Sequence, residues 1–345
     1  MAKRPSNYRF SFGPWNISAG ADPFGPVVRK EVPFAKKIAE YRKLGFTYVQ
    51  LHDDDVVPAD WDATQTARGV AKVQKLLESE GLKGEFIAPR LWEDRRTIDG
   101  GYTANSASDR RYAKNRTRRA VDIANMMGID LMVIWPAREG TYIREAKDAQ
   151  LATGRLVEAI NDILEHDDKI RVVGEMKPNE PMDHAYCPSV GHFMGLAYRT
   201  ADPTRTGVLI ESAHSILAGF DPADDMAYAL WHEKLWGVHL NDQNGLKYDQ
   251  DKTFGSVDLR RAFNQVWVLE RGGYADIGVV GLDVKAMRTT KQTDQTAHLA
   301  NSKRIFDHLV ALARSLDEKK VEAFRENRDY EGLDLYIVEH LLATK

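Results

Sequence analysis

Short apolar runs alternate with longer amphipathic segments along almost the whole chain. The runs are Tyr8–Phe12, Tyr48–Leu51, Phe86–Ala88, Leu131–Ile134, Val172–Glu175, Val208–Glu211, Leu235–Leu240 and Val279–Asp283. Each has the length of a strand. Apolar residues recur at three- and four-residue spacing over Phe34–Leu44, Thr66–Glu80, Asp109–Met127, Ala146–His166, Val190–Tyr198, Pro222–His232, Leu259–Glu270 and Gln295–Ser315, which predicts helices. Strict alternation of strand and helix implies a parallel sheet. Eight such units close into a (β/α)8 TIM barrel. The alternative, a doubly wound open sheet, usually carries a glycine-rich phosphate turn after its first strand, and the sequence has none there. The alternation ends near Leu316. The expected organisation is a barrel over residues 1–316 and a short helical C-terminal tail over 317–345, packing on the barrel or on a neighbouring subunit.

Closed barrels of this kind place their chemistry at the C-terminal ends of the strands. Polar residues cluster there. His52 ends the second predicted strand and opens His52-Asp53-Asp54-Asp55, and Trp135 ends the fourth. Glu175 and Lys177 end the fifth. Glu211 ends the sixth, with His214 three residues on. His239 and Asn241 end the seventh, Asp249 and Asp251 follow, and Asp283 and Lys285 end the eighth. One carboxylate at a strand end is usually a cap or a solvated loop residue. Several buried together repel one another, and a bound cation removes that penalty. Carboxylate oxygen with some imidazole suits Mg²⁺, Mn²⁺ or Co²⁺ better than a thiolate-seeking metal.

Composition narrows the partners. The 345 residues, 43% of them hydrophobic, can bury a large core. With 48 basic and 51 acidic residues the chain offers no charge reason to bind nucleic acid or an anionic membrane. No apolar run reaches membrane-spanning length, and Met1–Phe12 has no apolar secretory core. The single cysteine, Cys187, excludes an intrachain disulfide and fits a reducing, cytoplasmic location.

Several segments, in order, resemble the xylose isomerase family. They are Asp22-Pro23-Phe24-Gly25, His52-Asp53-Asp54-Asp55, Asp99 to Asn105 (DGGYTAN), Trp135 with Arg138-Glu139-Gly140, Lys177-Pro178-Asn179-Glu180-Pro181, and Lys247-Tyr248-Asp249-Gln250-Asp251 within Asn241 to Gly255. The resemblance implies an aldose–ketose isomerase acting on a free sugar with two divalent ions per subunit. One ion would take Glu175, Glu211, Asp283 and whatever stands at His239. The other would take Glu211, His214, Asp249 and Asp251. His52, backed by Asp55, would assist ring opening, Lys177 and Lys285 would act on the substrate, and Asp251 would serve removal of the C2 hydroxyl proton. Hydrogen would then move from C2 to C1 as a hydride. Trp15 and Trp135 would wall the pocket, with Trp92 and Asn241 as further sugar contacts. Phe24 matches an aromatic that enters a neighbouring subunit's site, which implies a homodimer or homotetramer.

The sequence also departs from that family. His239 stands where the family has aspartate, which resembles rhamnose isomerase and the ketose 3-epimerases and shifts preference away from Mg²⁺. Ala88 replaces a polar residue that touches sugar hydroxyls, with Arg90 and Trp92 after it, and the tail is shorter than the family's embracing arm. A metal-dependent keto-sugar epimerase or lyase, and a barrel that only binds metal and sugar, are the competing expectations.

Overall fold

The computed structural model describes residues 7–245 and 248–342, so Lys247 lies outside the described residues. Eight parallel strands form a closed barrel in sequence order: β1 Phe10–Phe12, β2 Tyr48–His52, β3 Lys83–Ala88, β4 Leu131–Ile134, β5 Arg171–Glu175, β6 Thr206–Glu211, β7 Leu235–His239 and β8 Val280–Leu282. Closure is made by β8 on β1, with Phe10 opposite Val280 and Phe12 opposite Leu282. The open-sheet alternative is thereby excluded. The principal helices are α1 Phe34–Leu44, α2 Ala63–Ser79, α3 Ala107–Met127, α4 Ala149–His166, α5 Val190–Ala197, α6 Pro222–Trp231, α7 Leu259–Arg271 and α8 Ala297–Ser315.

Element ends differ from the periodicity by a few residues, for local reasons. The hydroxyl of Ser106 accepts from Asp109 N, which starts α3 earlier than the apolar spacing indicates. Asp148 accepts from Leu151 N and starts α4 later, after a separate turn over Arg144–Ala146. Strand β3 begins at Lys83, because Lys83 and Gly84 pair with Tyr48 and Val49 despite their polarity. Left-handed Gly45 and Gly128 terminate α1 and α3.

Two apolar layers hold the barrel. A large one lies between strands and helices, and a small one fills the barrel with Phe86, Ala88, Leu131, Val133, Val173 and Leu209. Side chains two apart on a strand share a face. Val173 and Leu209 therefore lie inside the barrel directly below Glu175 and Glu211, and the apolar plug floors the polar mouth.

The chain after Leu316 forms α9 Glu318–Asn327 and α10 Tyr330–Leu342, which pack on its own barrel. Val321 and Ile337 are buried in the main core. Trp267 of α7 donates to Glu318 at 2.9 Å, and His340 meets the Leu312 carbonyl of α8 at 2.9 Å.

Helix α8 also reaches the barrel top through His298, whose Nε2 donates to the Asn16 carbonyl at 3.0 Å. Burial pushes this imidazole down to about 4, against the Asn16 hydrogen bond and with help from Arg29. An unfolded histidine titrates near ~6.5. Between those values the unfolded chain holds a proton here that the folded chain does not, so stability falls as pH falls through that window. Urea unfolding at intervals from pH 7 to pH 4.5 is expected to show a shallower loss for His298→Gln, by about 1 kcal/mol per pH unit near pH 5. Parallel profiles would remove this assignment.

Candidate active site

Strand register assembles the site. Glu211 stands opposite His239 across β6 and β7, and His239 opposite Gly281 across β7 and β8. Glu175 ends β5 one strand away, and Asp283 follows β8. Ligand atoms of Glu175, Glu211, His239 and Asp283 come together in one cluster, and those of Glu211, His214 and Asp249 in a second, each within 4.8 Å of one another. Glu211 belongs to both. His239 Nδ1 lies 3.0 Å from Glu175, 3.8 Å from Glu211 and 3.9 Å from Asp283. The histidine thus faces into the first cluster.

The charge balance there is severe. Burial disfavours the ionised forms of Glu175, Glu211, Asp249 and Asp251. Against that penalty, the His239 imidazole holds Glu175 down to about 2. Burial also disfavours charge on His239, but Glu175 and its neighbours raise it well above an ordinary imidazole. Asp249 is held well below the carboxylate range despite burial, by His214 and Lys177. Burial and the adjacent Asp249 push Asp251 well up, against the pull of Lys285. The clusters thus draw positive charge inward, which a divalent cation would supply. His214 Nδ1 and Asp249 Oδ1 are buried without a hydrogen-bond partner, and both belong to the second cluster. These orphaned atoms and the carboxylate–imidazole donor sets fit divalent ions.

A cavity of about 380 Å³ opens above the clusters. Trp15, Trp92 and Trp135 wall it, with Trp15 and Trp92 packed 4.3 and 5.1 Å from the His52 ring, and Trp92 4.6 Å from Trp135. Trp15 also donates to Asp283 at 3.0 Å, so one residue serves wall and cluster. A larger opening of about 780 Å³ lies at the other end of the barrel, lined by Arg9, Lys83, Glu85 and Arg171 among others. Neither acidic cluster borders it.

The predicted lysines and His52 line the cavity, and Asp55 holds His52 without lining it. Lys177 Nζ donates to Asp249 at 2.9 Å and Glu180 at 3.0 Å, and lies 5.5 Å over the Trp135 ring. Lys285 pairs with Asp251. His52 Nδ1 is 3.0 Å from Asp55, so its Nε2 edge is the one available to a substrate.

Two expected positions differ, and a third, Phe24, points away from its own site. Asp251 is outside both ligand clusters, its carboxylate taken by Lys285 and by Asn241 at 3.1 Å. Asn241 does not line the cavity. Its amide donates to Glu211 at 2.8 Å, to Asp251 and to the Asp283 carbonyl at 2.9 Å, and its oxygen accepts from Ala213 N at 2.7 Å. With these partners it holds the carboxylates in place. Phe24, 85% exposed in a turn closed by Asp22 and Gly25, stands away from its own cavity, 6.5 Å from the ring of Tyr248.

Other residues escaped sequence reasoning. Arg90 donates to Asp54 at 2.8 Å and Asp55 at 2.9 Å, and its Nη2 lies 2.7 Å from His52 Nδ1. Glu180 joins Lys177 to the Asp249 backbone N–H, at 3.1 Å from the latter. Asn16 donates to Asp283 at 2.6 Å. Glu139 accepts from Gly101 N, Tyr102 N, Thr103 N and the Thr103 hydroxyl at 2.6–2.9 Å, tying two of the family-like segments together. Only Glu180, three residues beyond Lys177, lay close enough in sequence to be suspected. Glu180 and Asp251 both hold left-handed φ values, 59° and 43°, which cost energy for residues with side chains.

Fold and site together define a barrel whose mouth can hold divalent cations under an aromatic cavity. Residues 38–302 match the xylose isomerase-like TIM barrel family, and the chain belongs to it. Among solved structures, an L-ribulose 3-epimerase superposes with a TM-score of 0.67 at 13% identity, covering 92% of this chain and 97% of that one. A D-psicose 3-epimerase in the presence of D-fructose gives 0.64 at 11% identity over 88% and 99% of the two chains. A xylose isomerase domain protein from Alicyclobacillus acidocaldarius subsp. acidocaldarius gives 0.60 at 15% identity over 89% and 99%.

Behind His52 lies a buried ion pair. Arg116 grips Asp53 at 2.9 and 3.0 Å, and Asp53 accepts the Arg90 backbone N–H at 2.9 Å. Arg116→Met leaves the buried Asp53 with only the Arg119 guanidinium, 3.9 Å away, with an expected loss of about 3–5 kcal/mol in urea unfolding. The double variant Asp53→Asn/Arg116→Met is expected to recover part of it. A loss below ~1 kcal/mol for the single variant would show that water reaches Asp53.

Proposed function

We propose that this chain is a metal-dependent aldose–ketose isomerase acting on a free monosaccharide. The observation that carries the reading is Glu211, shared by two adjacent ligand clusters below one cavity. Glu175, Glu211, His239 and Asp283 would hold one ion, and Glu211, His214 and Asp249 a second. Manganese, cobalt or magnesium suits these donors, with the imidazole of His239 weakening the preference for magnesium. Bound there, divalent ions supply Lewis acidity to the sugar's carbonyl and hydroxyl oxygens.

The protein's own groups supply the rest. His52, held by Asp55 and Arg90, exchanges a proton with the ring oxygen and anomeric hydroxyl during ring opening. Lys177, fixed by Asp249 and Glu180, places an ammonium beside the carbonyl oxygen at C1 and makes that carbon a better hydride acceptor. Asp251, held by Lys285 and Asn241, takes up the proton lost from the C2 hydroxyl and returns it to the C1 oxygen once the hydride has moved. The Trp15, Trp92 and Trp135 walls keep water from the C1–C2 bond while hydrogen moves across it. The exposed ring of Phe24 suits a homo-oligomer in which it closes a partner's cavity. A single cysteine suits a reducing, cytoplasmic location.

A keto-sugar epimerase is the second reading. It is favoured by His239 in the first cluster and by Asp251 lying outside the second, which leaves one complete four-residue site. In that chemistry, carboxylates such as Glu175 and Asp283 exchange protons with a carbon beside the ketone, and no hydride moves.

Two measurements test these readings. Titrated with Mn²⁺, the chain is expected to take up two ions. Glu211→Gln should weaken both by on the order of 10-fold or more, and Asp249→Asn only one. A single ion in the unaltered chain would sink the two-ion isomerase. Separately, D-xylose, L-rhamnose, D-glucose and D-fructose are incubated with the Mn²⁺-loaded protein in D2O and read by NMR after metal removal. Ketose that keeps its hydrogen at C1 is expected. Deuterium at the exchanged carbon, or a C3 epimer of fructose, would replace the isomerase with the epimerase.

A further inference from the structure

Two buried polar atoms below the first cluster lack hydrogen-bond partners and are complementary in kind: His239 Nε2 and Gln50 Oε1. Both side chains border Gly281. A Cβ added there would lie 2.3 Å from Gln50 Nε2 and 2.8 Å from His239 Cδ2. Glycine at this register position of β8, opposite His239, leaves the space in which the two side chains approach each other.

The neighbours fix which atom of each is left over. His239 turns Nδ1 toward Glu175, Glu211 and Asp283, so Nε2 is its remaining edge. The Gln50 amide nitrogen donates to Ser11 Oγ at 3.0 Å and to Glu85 Oε2 at 3.1 Å, so its oxygen is the atom without a partner. A neutral imidazole that gives one ring nitrogen to a cation carries its proton on the other. Histidine ligands ordinarily give that proton to a carboxylate, carbonyl or water, which sets tautomer and ring angle. Among the described residues, His239 Nε2 makes no hydrogen bond and Gln50 Oε1 receives none, while the two side chains border the same glycine.

We propose that Gln50 is the positioning residue of the first cluster: its Oε1 accepts the His239 Nε2 proton, directly or through one buried water. The amide thereby holds the tautomer in which Nδ1 faces the carboxylates. Ser11 and Glu85 hold the amide nitrogen and so keep the amide from turning over, which leaves the oxygen as the atom free to accept. The polar layer Ser11–Gln50–Glu85 is then a support for the cluster above it. This rests on reading that cluster as a cation site.

The test uses the full chain. Mn²⁺ affinity is measured by the signal of free Mn²⁺ in electron paramagnetic resonance for the unaltered chain, Glu175→Gln and Gln50→Leu. Gln50→Leu is expected to bind about 10–100-fold more weakly, with the melting temperature of its metal-free form unchanged. In parallel, ¹⁵N-histidine spectra of the unaltered Zn²⁺-loaded chain, with His239→Ala for assignment, should show His239 protonated on Nε2. Equal affinity in Gln50→Leu, or His239 protonated on Nδ1 when loaded, overturns the inference while Glu175→Gln still loses the ion. An affinity loss matched by a lower metal-free melting temperature overturns it too, as plain packing damage. No binding by the unaltered chain, or full binding by Glu175→Gln, removes the cation reading and this inference with it. If Gln50→Leu does not fold, the histidine spectrum decides alone.

Discussion

Mutual repulsion among buried carboxylates is the constraint around which the mouth of this barrel is organised. Glu175, Glu211, Asp249, Asp251 and Asp283 converge there, and Glu175, Glu211 and Asp251 are almost wholly out of water. Such a group is tolerable only if cations or donors are distributed through it. The chain supplies His239, His214, Lys177, Lys285, Asn241, Asn16 and Trp15 to that end. Removing the apolar plug formed by Val173 and Leu209 would flood the cluster from below, and removing the tryptophan walls would flood it from above.

The barrel was legible from the sequence because periodicity reports burial, and burial alternates here with little interruption. Eight apolar runs fell on the eight barrel strands. Element ends were less legible, since a cap such as Ser106 or Asp148 acts through one backbone hydrogen bond that leaves no periodic trace. Much of the site was legible for a related reason. Strand ends of a barrel converge, so Glu175, Glu211, His239 and Asp283 could be brought together from topology alone.

Residues that act through others were not legible. Asn241 was expected at the sugar from the family resemblance, yet its amide is spent on Glu211, Asp251 and the Asp283 carbonyl. Arg90, Glu139 and Gln50 are separated in sequence from what they hold: Arg90 from His52 by 38 residues, Glu139 from Tyr102 by 37, and Gln50 from Glu85 by 35. Spacing arguments cannot see such contacts, because they depend on which strands are neighbours and how far each side chain reaches. The conflict at Asp251 is of another kind. Its carboxylate has two suitors, Lys285 and the second cluster, and only the three-dimensional charge balance decides between them.

Glu211 has a thermodynamic consequence of its own. If each cluster holds an ion, the carboxylate common to both makes their occupancies linked variables. Whatever factor the filling of one imposes on the affinity of the other must be returned unchanged in the opposite direction. The sign of that factor is a contest between two cations repelling across one residue and the ordering of a side chain that serves both. Selection at such a two-ion centre would act on the pair as a unit, so a substitution that retuned one ion's identity would also reset the concentration at which its companion arrives.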